Sequence, residues 1–228
     1  MSGPSTSGPS TAGPITGGPS TGATSTAAPR VRRAVIALGS NLGDRDTLLR
    51  DAVRAVDATP GITVVAASAP VSSTAVTLDG LDPSKPTYLN AVLLADVTLD
   101  DDALLDALQA IEATRGRTRD VRWGDRTLDL DVVALDDERI DTERLQVPHP
   151  RAAERAFVLE PWLQLDPEAR LAGAGLVADL ASRLTERTRP VPGATSLFDP
   201  EPDPPLTDAP SDHGSAHDPT TDPSPGAP

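Results

Sequence analysis

The apolar positions in the middle of this chain follow two different periods, and the switches between them outline the elements. In RRAVIALGSN the run Ala34 to Leu38 reads as a strand that stops at a Gly-Ser-Asn turn. Leu48, Leu49, Ala52, Val53 and Val56 then recur at helical spacing, with Asp44 or Asp46 available as the cap and Thr59-Pro60-Gly61 as the stop. ITVVAASAPVSST, from Ile62 to Thr74, predicts a second strand interrupted near Pro70, and YLNAVLLADV, from Tyr88 to Val97, a third. Between them the segment Ala75 to Thr87, rich in Asp, Pro and Gly, predicts a long mobile loop of the kind that closes over sites. LDDDALLDALQAIEATRG predicts a helix with aspartates at its positive end and Arg115-Gly116 at its close.

The fourth strand carries the unusual pattern. In RWGDRTLDLDVVAL, residues Leu128, Leu130, Val132 and Ala134 alternate onto one face, which leaves Asp129 and Asp131 on the other with Val133 and Leu135. Two further helices are predicted in RAFVLEPWLQL and GLVADLASRLTER. The order β-α-β-β-α-β implies an α+β fold, a ferredoxin-like antiparallel sheet layered with helices.

Composition sets the limits of that domain. Residues 1–29 hold no charged side chain and repeat a Gly-Pro-Ser/Ile-Thr unit every five residues, a period that suits neither a solenoid nor collagen. Residues 190–228 are rich in Pro and Asp and lack Lys and Arg; Val191, Leu197, Phe198 and Leu206 are their only large apolar side chains. Both ends are expected to be disordered tails around a domain at 30–189. The acidic tail carries half of the formal charge of −14, so the overall charge describes the tail more than any active surface. With no cysteine there are no disulfides, thiolate zinc sites or cysteine nucleophiles, and with no long apolar run or leader-like start the expectation is a cytoplasmic chain without a membrane partner.

The candidate chemistry gathers around the fourth strand. An unpaired buried charge is costly, so Asp129 and Asp131 must be solvated, matched by arginines or occupied by a metal. Leaving one strand face roughly 6.6 Å apart, they suit Mg²⁺, which takes few protein carboxylates and completes its shell with water and phosphate oxygens. The preceding loop contributes Arg115, Arg117, Arg119, Arg122 and Arg126, in a chain with a single lysine, and guanidinium forks match phosphate oxygens. A salt-bridged polar sheet face is the plainer explanation of either feature alone; together they favour a Mg²⁺-nucleotide site. The absence of GxxxxGK[ST] excludes a P-loop, and LGSNLGD at Leu38 to Asp44 lacks the GxGxxG spacing. Tyr88 and Phe157, two of five aromatics, could sandwich a flat heterocycle, with the Asn90 amide two residues from Tyr88 reading its edge. His149, in VPHPR, lacks a His or Cys partner for a metal set.

The blocks ALGSNLGD, YLNAV, IEATRGRTR, RWGDRTLDLD, ERLQVPHPR and RAFVLEP, in this order between about Ala34 and Leu165, resemble those of 6-hydroxymethyl-7,8-dihydropterin pyrophosphokinases of folate biosynthesis. The resemblance implies transfer of a pyrophosphoryl group from ATP to the pterin hydroxymethyl oxygen, with AMP released. It implies that Asp129 and Asp131 bind two Mg²⁺ ions, that Arg117, Arg119, Arg126, His149 and Arg155 contact phosphates, and that Trp123 and its loop close over them. Glu112 and Arg144 would lie near the nucleotide. Tyr88 and Phe157 would stack the pterin and Asn90 bond its ring, with Gly39, Ser40, Asn41 and Thr74 shaping the pocket. A family Thr-x-Pro segment with an aromatic is replaced here by VSSTAVTLDG, and both tails are additions. The expected partners are ATP and the pterin, with no nucleic acid, and a monomer. Two other classes remain open on the residues alone: a nucleotidyltransferase using the Asp-x-Asp pair, and a non-catalytic nucleotide-binding module.

Overall fold

In the computed structural model, residues 30–77, 80–82, 86–115 and 127–199 are described. The elements run β1 (Arg32–Ser40), α1 (Arg45–Asp57), β2 (Ile62–Ala67), β3 (Val71–Ser73), β4 (Ala75–Thr77), β5 (Gly80–Asp82), β6 (Tyr88–Val97), α2 (Asp101–Thr114) and β7 (Asp129–Leu135). They continue with β8 (Ile140–Asp141), β9 (Gln146–Val147), α3 (Ala156–Leu165), β10 (Arg170–Leu171), β11 (Gly175–Leu176), α4 (Val177–Arg183) and β12 (Arg189–Pro190). The main sheet is antiparallel in the order β12-β3-β6-β1-β7, with β2 also paired to β6. Its four principal strands therefore take the split arrangement expected of a ferredoxin-like sheet.

Local chemistry explains the helix positions. Asp44, not Asp46, caps α1, accepting from the Thr47 N–H and hydroxyl, which holds its carboxyl below the usual range. Asp46 instead pairs with Arg50 one turn on at 2.8 Å. Asp100 caps α2 through the Ala103 N–H. Leu49, Ala52, Val53 and Val56 of α1 meet Leu104 and Leu108 of α2 over Ala34, Ile36 and Leu38 of β1 in one core. Each of the buried Leu or Val side chains contributes about 1.5–3 kcal/mol. A second core on the opposite sheet face joins Val35, Val92 and Val133 to Leu159 and Trp162 of α3 and Val177 of α4. The sheet is thus covered on both faces.

Three expectations are corrected. The strict alternation of the fourth strand holds only to Val133, because Val35 faces Ala134 while Ile36 faces Val132, leaving Val133 as the extra residue of a bulge. Ala134 consequently joins the α3 core with Val133, and Leu135 turns to the α1–α2 core. The segment expected as an irregular loop between Ala75 and Thr87 contains the antiparallel hairpin β4–β5. Finally, the boundary after Arg189 falls short. Arg189 and Pro190 pair with Ser72 and Val71, Leu197 is buried to 5 % exposure, and Val191 and Phe198 pack on the same core. The backbone of the segment bonds too, through Leu197 N–H to Ser68 O and Ser196 O to the Arg50 guanidinium. Composition hid this because three apolar residues suffice once they pack against the existing core. Residues 1–29 and 200–228 lie outside the described residues.

Candidate functional site

A cleft of about 180 Å³ opens on the α3 side of the sheet, at the C-terminal end of β1. Its floor crosses four adjacent strands: Ser73 at the end of β3, Tyr88 and Asn90 on β6, Ala37 and Gly39 on β1, Asp129 and Asp131 on β7. The register explains the convergence, since Asn90 stands opposite Gly39, and Gly39 stands opposite Asp129. With neighbouring strands about 4.8 Å apart, Asn90 and Asp129 are separated by two strand spacings, about 10 Å. The glycine between them has a chemical reason. A Cβ at Gly39 would lie 3.3 Å from Asn90 Oδ1, crowding the amide and filling the floor. Asn90 is itself oriented by donating from Nδ2 to Ser73 Oγ at 2.9 Å.

The two carboxylates are set by contacts on both sides of β7. Glu112, only 2 % exposed, reaches from α2 and accepts the Leu130 N–H at 2.8 Å, in the middle of the Asp-x-Asp sequence. On the cleft side, Asp131 Oδ2 lies 3.6 Å from Arg155 Nη1 and 3.8 Å from His149 Nε2, close enough for electrostatic attraction but beyond a hydrogen bond. His149 is delivered there by the bulge: its N–H donates to the carbonyl of the extra residue Val133 at 2.9 Å. Its Nδ1 accepts the Arg151 N–H, so in the neutral ring Nε2 carries the proton toward Asp131. Arg155 also stacks over the Phe157 ring, 5.5 Å from its centroid, linking the acidic end of the cleft to its aromatic wall.

Burial lowers the His149 pKa below its ordinary value; Asp131 opposes this, while Arg155 and Arg151 add to it. The unfolded chain therefore binds this proton more readily than the folded one, and the stability contribution is present above pH 6.5 and lost as pH falls through the folded pKa. Denaturant midpoints measured in EDTA at pH 7.5 and 5.5 are expected to fall in acid for the parent chain. His149→Gln should show a smaller fall over the same interval.

The structure brings together Gly39, Thr74, Tyr88, Asn90, Asp129, Asp131, Arg155 and Phe157 as cleft-lining residues, with His149 against Asp131. Ser40 and Asn41 are buried and are not among the lining residues. Arg144, expected near a nucleotide, lies outside the lining and directs its guanidinium to Asp102 and Asp106 of α2. Glu112 braces β7 from beneath. Arg115, grouped by sequence with the arginine loop, instead bridges α2 to Asp51 of α1 at 2.8 Å. Arg117, Arg119, Trp123 and Arg126 lie outside the described residues. Sequence reading missed Glu154 and Glu186 as lining residues. Neither sits in a motif, and only the return of the chain after α4 brings Glu186 to the cleft.

Comparison with known proteins agrees with this geometry. Residues 35–167 match the family described as 7,8-dihydro-6-hydroxymethylpterin-pyrophosphokinase. The chain is 41 % identical over 166 residues to the 2-amino-4-hydroxy-6-hydroxymethyldihydropteridine pyrophosphokinase of Pseudomonas aeruginosa, covering 72 % of this chain and 99 % of that one. Its identity to the protein of the same name from Bacillus subtilis is 42 % over 132 residues, 58 % of this chain and 77 % of that one. Among solved structures, wild-type HPPK-DHPS of Plasmodium falciparum shares the fold with a TM-score of 0.51 at 12 % identity, over 67 % of this chain. The chain spans 44 % of the length of that structure.

Proposed function

The chain belongs to the 7,8-dihydro-6-hydroxymethylpterin-pyrophosphokinase family, and from that premise we infer that the cleft carries the family's reaction. The enzyme transfers a pyrophosphoryl group from ATP to 6-hydroxymethyl-7,8-dihydropterin in folate synthesis, and the products are AMP and the pterin pyrophosphate. The observation that supports this site most strongly is the register Asn90–Gly39–Asp129, which holds a ring-reading amide and a carboxylate pair on one floor about two strand spacings apart.

The roles follow from chemistry. Tyr88 and Phe157 stack the bicyclic ring, and Asn90 bonds its edge above the space left by Gly39. Asp129 and Asp131 present hard oxygen donors on one face, which fits Mg²⁺ with the phosphates and water completing its shell. Bound there as two ions, Mg²⁺ would neutralise charge building on the phosphate oxygens. Arg155 and His149 lie beside Asp131 at 3.6 and 3.8 Å, where each can turn its proton-bearing nitrogen to an incoming phosphate oxygen. Arg117, Arg119 and Arg126 would add phosphate contacts, Trp123 would help exclude water, and Glu112 and Arg144 would support the nucleotide end. A transfer of this kind depends on alignment and charge neutralisation more than on a strong base. The reading takes the enzyme as a monomer, and its need for ATP fits the cytoplasm. No described helix is long and apolar enough to cross a membrane.

Chromatography of the nucleotide product tests the reading. Incubation with ATP, Mg²⁺ and the hydroxymethyl dihydropterin should yield AMP in step with pterin pyrophosphate. ADP would point to an ordinary kinase, and free pyrophosphate with an adenylylated product to a nucleotidyltransferase.

A further inference from the structure

Glu186 is a lining residue of the cleft that no motif accounts for. It belongs to the stretch between α4 and β12, which is fastened at two points. Thr188 donates from both its N–H and its hydroxyl to Glu160 Oε2 on α3, and Arg189 pairs with Ser72 on β3. The sheet order shows which edge of the sheet this stretch is anchored to. Strand β12 lies beyond β3, whereas Asp129 and Asp131 lie on β7, three strand spacings from β3, about 14 Å. Three residues before Arg189, Glu186 enters the cleft from the stretch anchored at the β3 edge of the sheet, the edge away from β7.

Its chemistry is that of an acceptor awaiting a donor. Glu186 Oε1 is buried and has no hydrogen-bond partner among the described residues. The adjacent cation does not relieve it, since the Arg187 guanidinium is turned to the carbonyls of Ser182, Leu184 and Glu186 and lies 3.9 Å from Glu160 Oε1. Burial first, and repulsion from Glu160 second, raise the Glu186 pKa above the ordinary carboxylate value. A buried acceptor left unmatched in the folded protein costs free energy that a ligand can recover by bringing donors to it.

We propose that Glu186 is a specificity-determining residue that accepts hydrogen bonds from the amino-pyrimidine edge of the pterin, where an exocyclic amine and a ring N–H lie side by side. The assignment rests on the proposed use of this cleft for the pterin. The polarity of the substrate fixes the match: its hydroxymethyl group must reach the acidic end at Asp129 and Asp131, so its amine-bearing edge points the other way. Glu160 is a positioning residue, acting through Thr188 on the segment that carries Glu186.

Direct binding of 6-hydroxymethylpterin without ATP, followed by fluorescence quenching, tests this independently of turnover. Glu186→Ala should weaken that binding by about 10- to 100-fold, with Glu186→Gln between the two. The decisive comparison uses the analogue lacking the 2-amino group. Wild type should bind it at least about tenfold more weakly than the parent pterin, and Glu186→Ala should show less than about threefold preference. A general loss of folding would weaken both ligands alike and is checked by the melting temperature. Unchanged pterin binding in Glu186→Ala, a retained preference, or a wild type indifferent to the amine would each overturn the proposal. Failure of wild type to form AMP would refute the proposed reaction, and these binding comparisons would still decide Glu186.

Discussion

Changing Asp129 and Asp131 together to Asn is expected to lower kcat by at least about 10³-fold while leaving pterin binding within about threefold of wild type. The separation follows from the layout of the cleft. The carboxylates stand on β7, whereas the Tyr88 and Phe157 rings and the Asn90 amide stand on other elements, the amide with its own support from the Ser73 hydroxyl. Asn preserves side-chain volume but removes the charge that would hold a divalent cation, so the loss falls on the chemical step. The fold should survive, because the Asp131 side chain is 38 % exposed and the strand's apolar anchors Leu128, Leu130 and Val132 are untouched. Single-turnover AMP formation and pterin fluorescence, run on the same preparation, make the measurement. Turnover within about tenfold of wild type would remove the carboxylates from the chemistry.

Truncation after Arg189 is expected to cost about 3–5 kcal/mol of stability, equivalent to a fall in Tm of roughly 10 °C, whereas truncation after Asp199 should leave Tm unchanged. The shorter chain loses the burial of Leu197, the packing of Val191 and Phe198, and the Ser196 hydroxyl bond to the Ala67 carbonyl at 2.8 Å. It also frees Ser68 O and the Arg50 guanidinium from their partners in the segment. Damage should reach the cleft as well. Ser68 Oγ accepts the N–H of Val92, two residues along β6 from Asn90, and β12 ends the stretch that carries Glu186. Thermal melts of the two truncated chains decide it, and equal Tm values would show that residues 190–199 add nothing to the domain.

Much of the architecture was legible because its causes are local. The α1 stripe Leu49, Ala52, Val53 and Val56 announces a buried face at helical spacing, and the Asp100 cap announces where α2 begins. The carboxylate pair was legible for a related reason: charge placed at strand spacing among Leu and Val conflicts with burial unless the face has a use. The bulge at Val133 was not legible. One extra residue leaves the run of apolar letters unchanged, and only pairing with β1 reveals that Val35 and Ile36 skip it. That bulge supplies the carbonyl holding His149, so a feature invisible in the sequence positions a residue that was visible in it. Arg144 and Glu112 had contacts that were not legible either. The family resemblance puts both near a nucleotide, and only the fold shows the Arg144 guanidinium on Asp102 and Asp106 and the Glu112 carboxylate accepting the Leu130 N–H.

Sequence alone determined the principal strands and helices, the acidic pair and its aromatic companions, because side-chain spacing and charge act within a few residues of themselves. Tertiary pairing decided where those groups meet, which faces Ala134 and Leu135 take, how far the domain extends past Arg189, and that Glu186 lines the cleft. The physical reason is that register and packing are settled by partners distant along the chain. Their free energy depends on which surfaces touch, and neither periodicity nor composition records that.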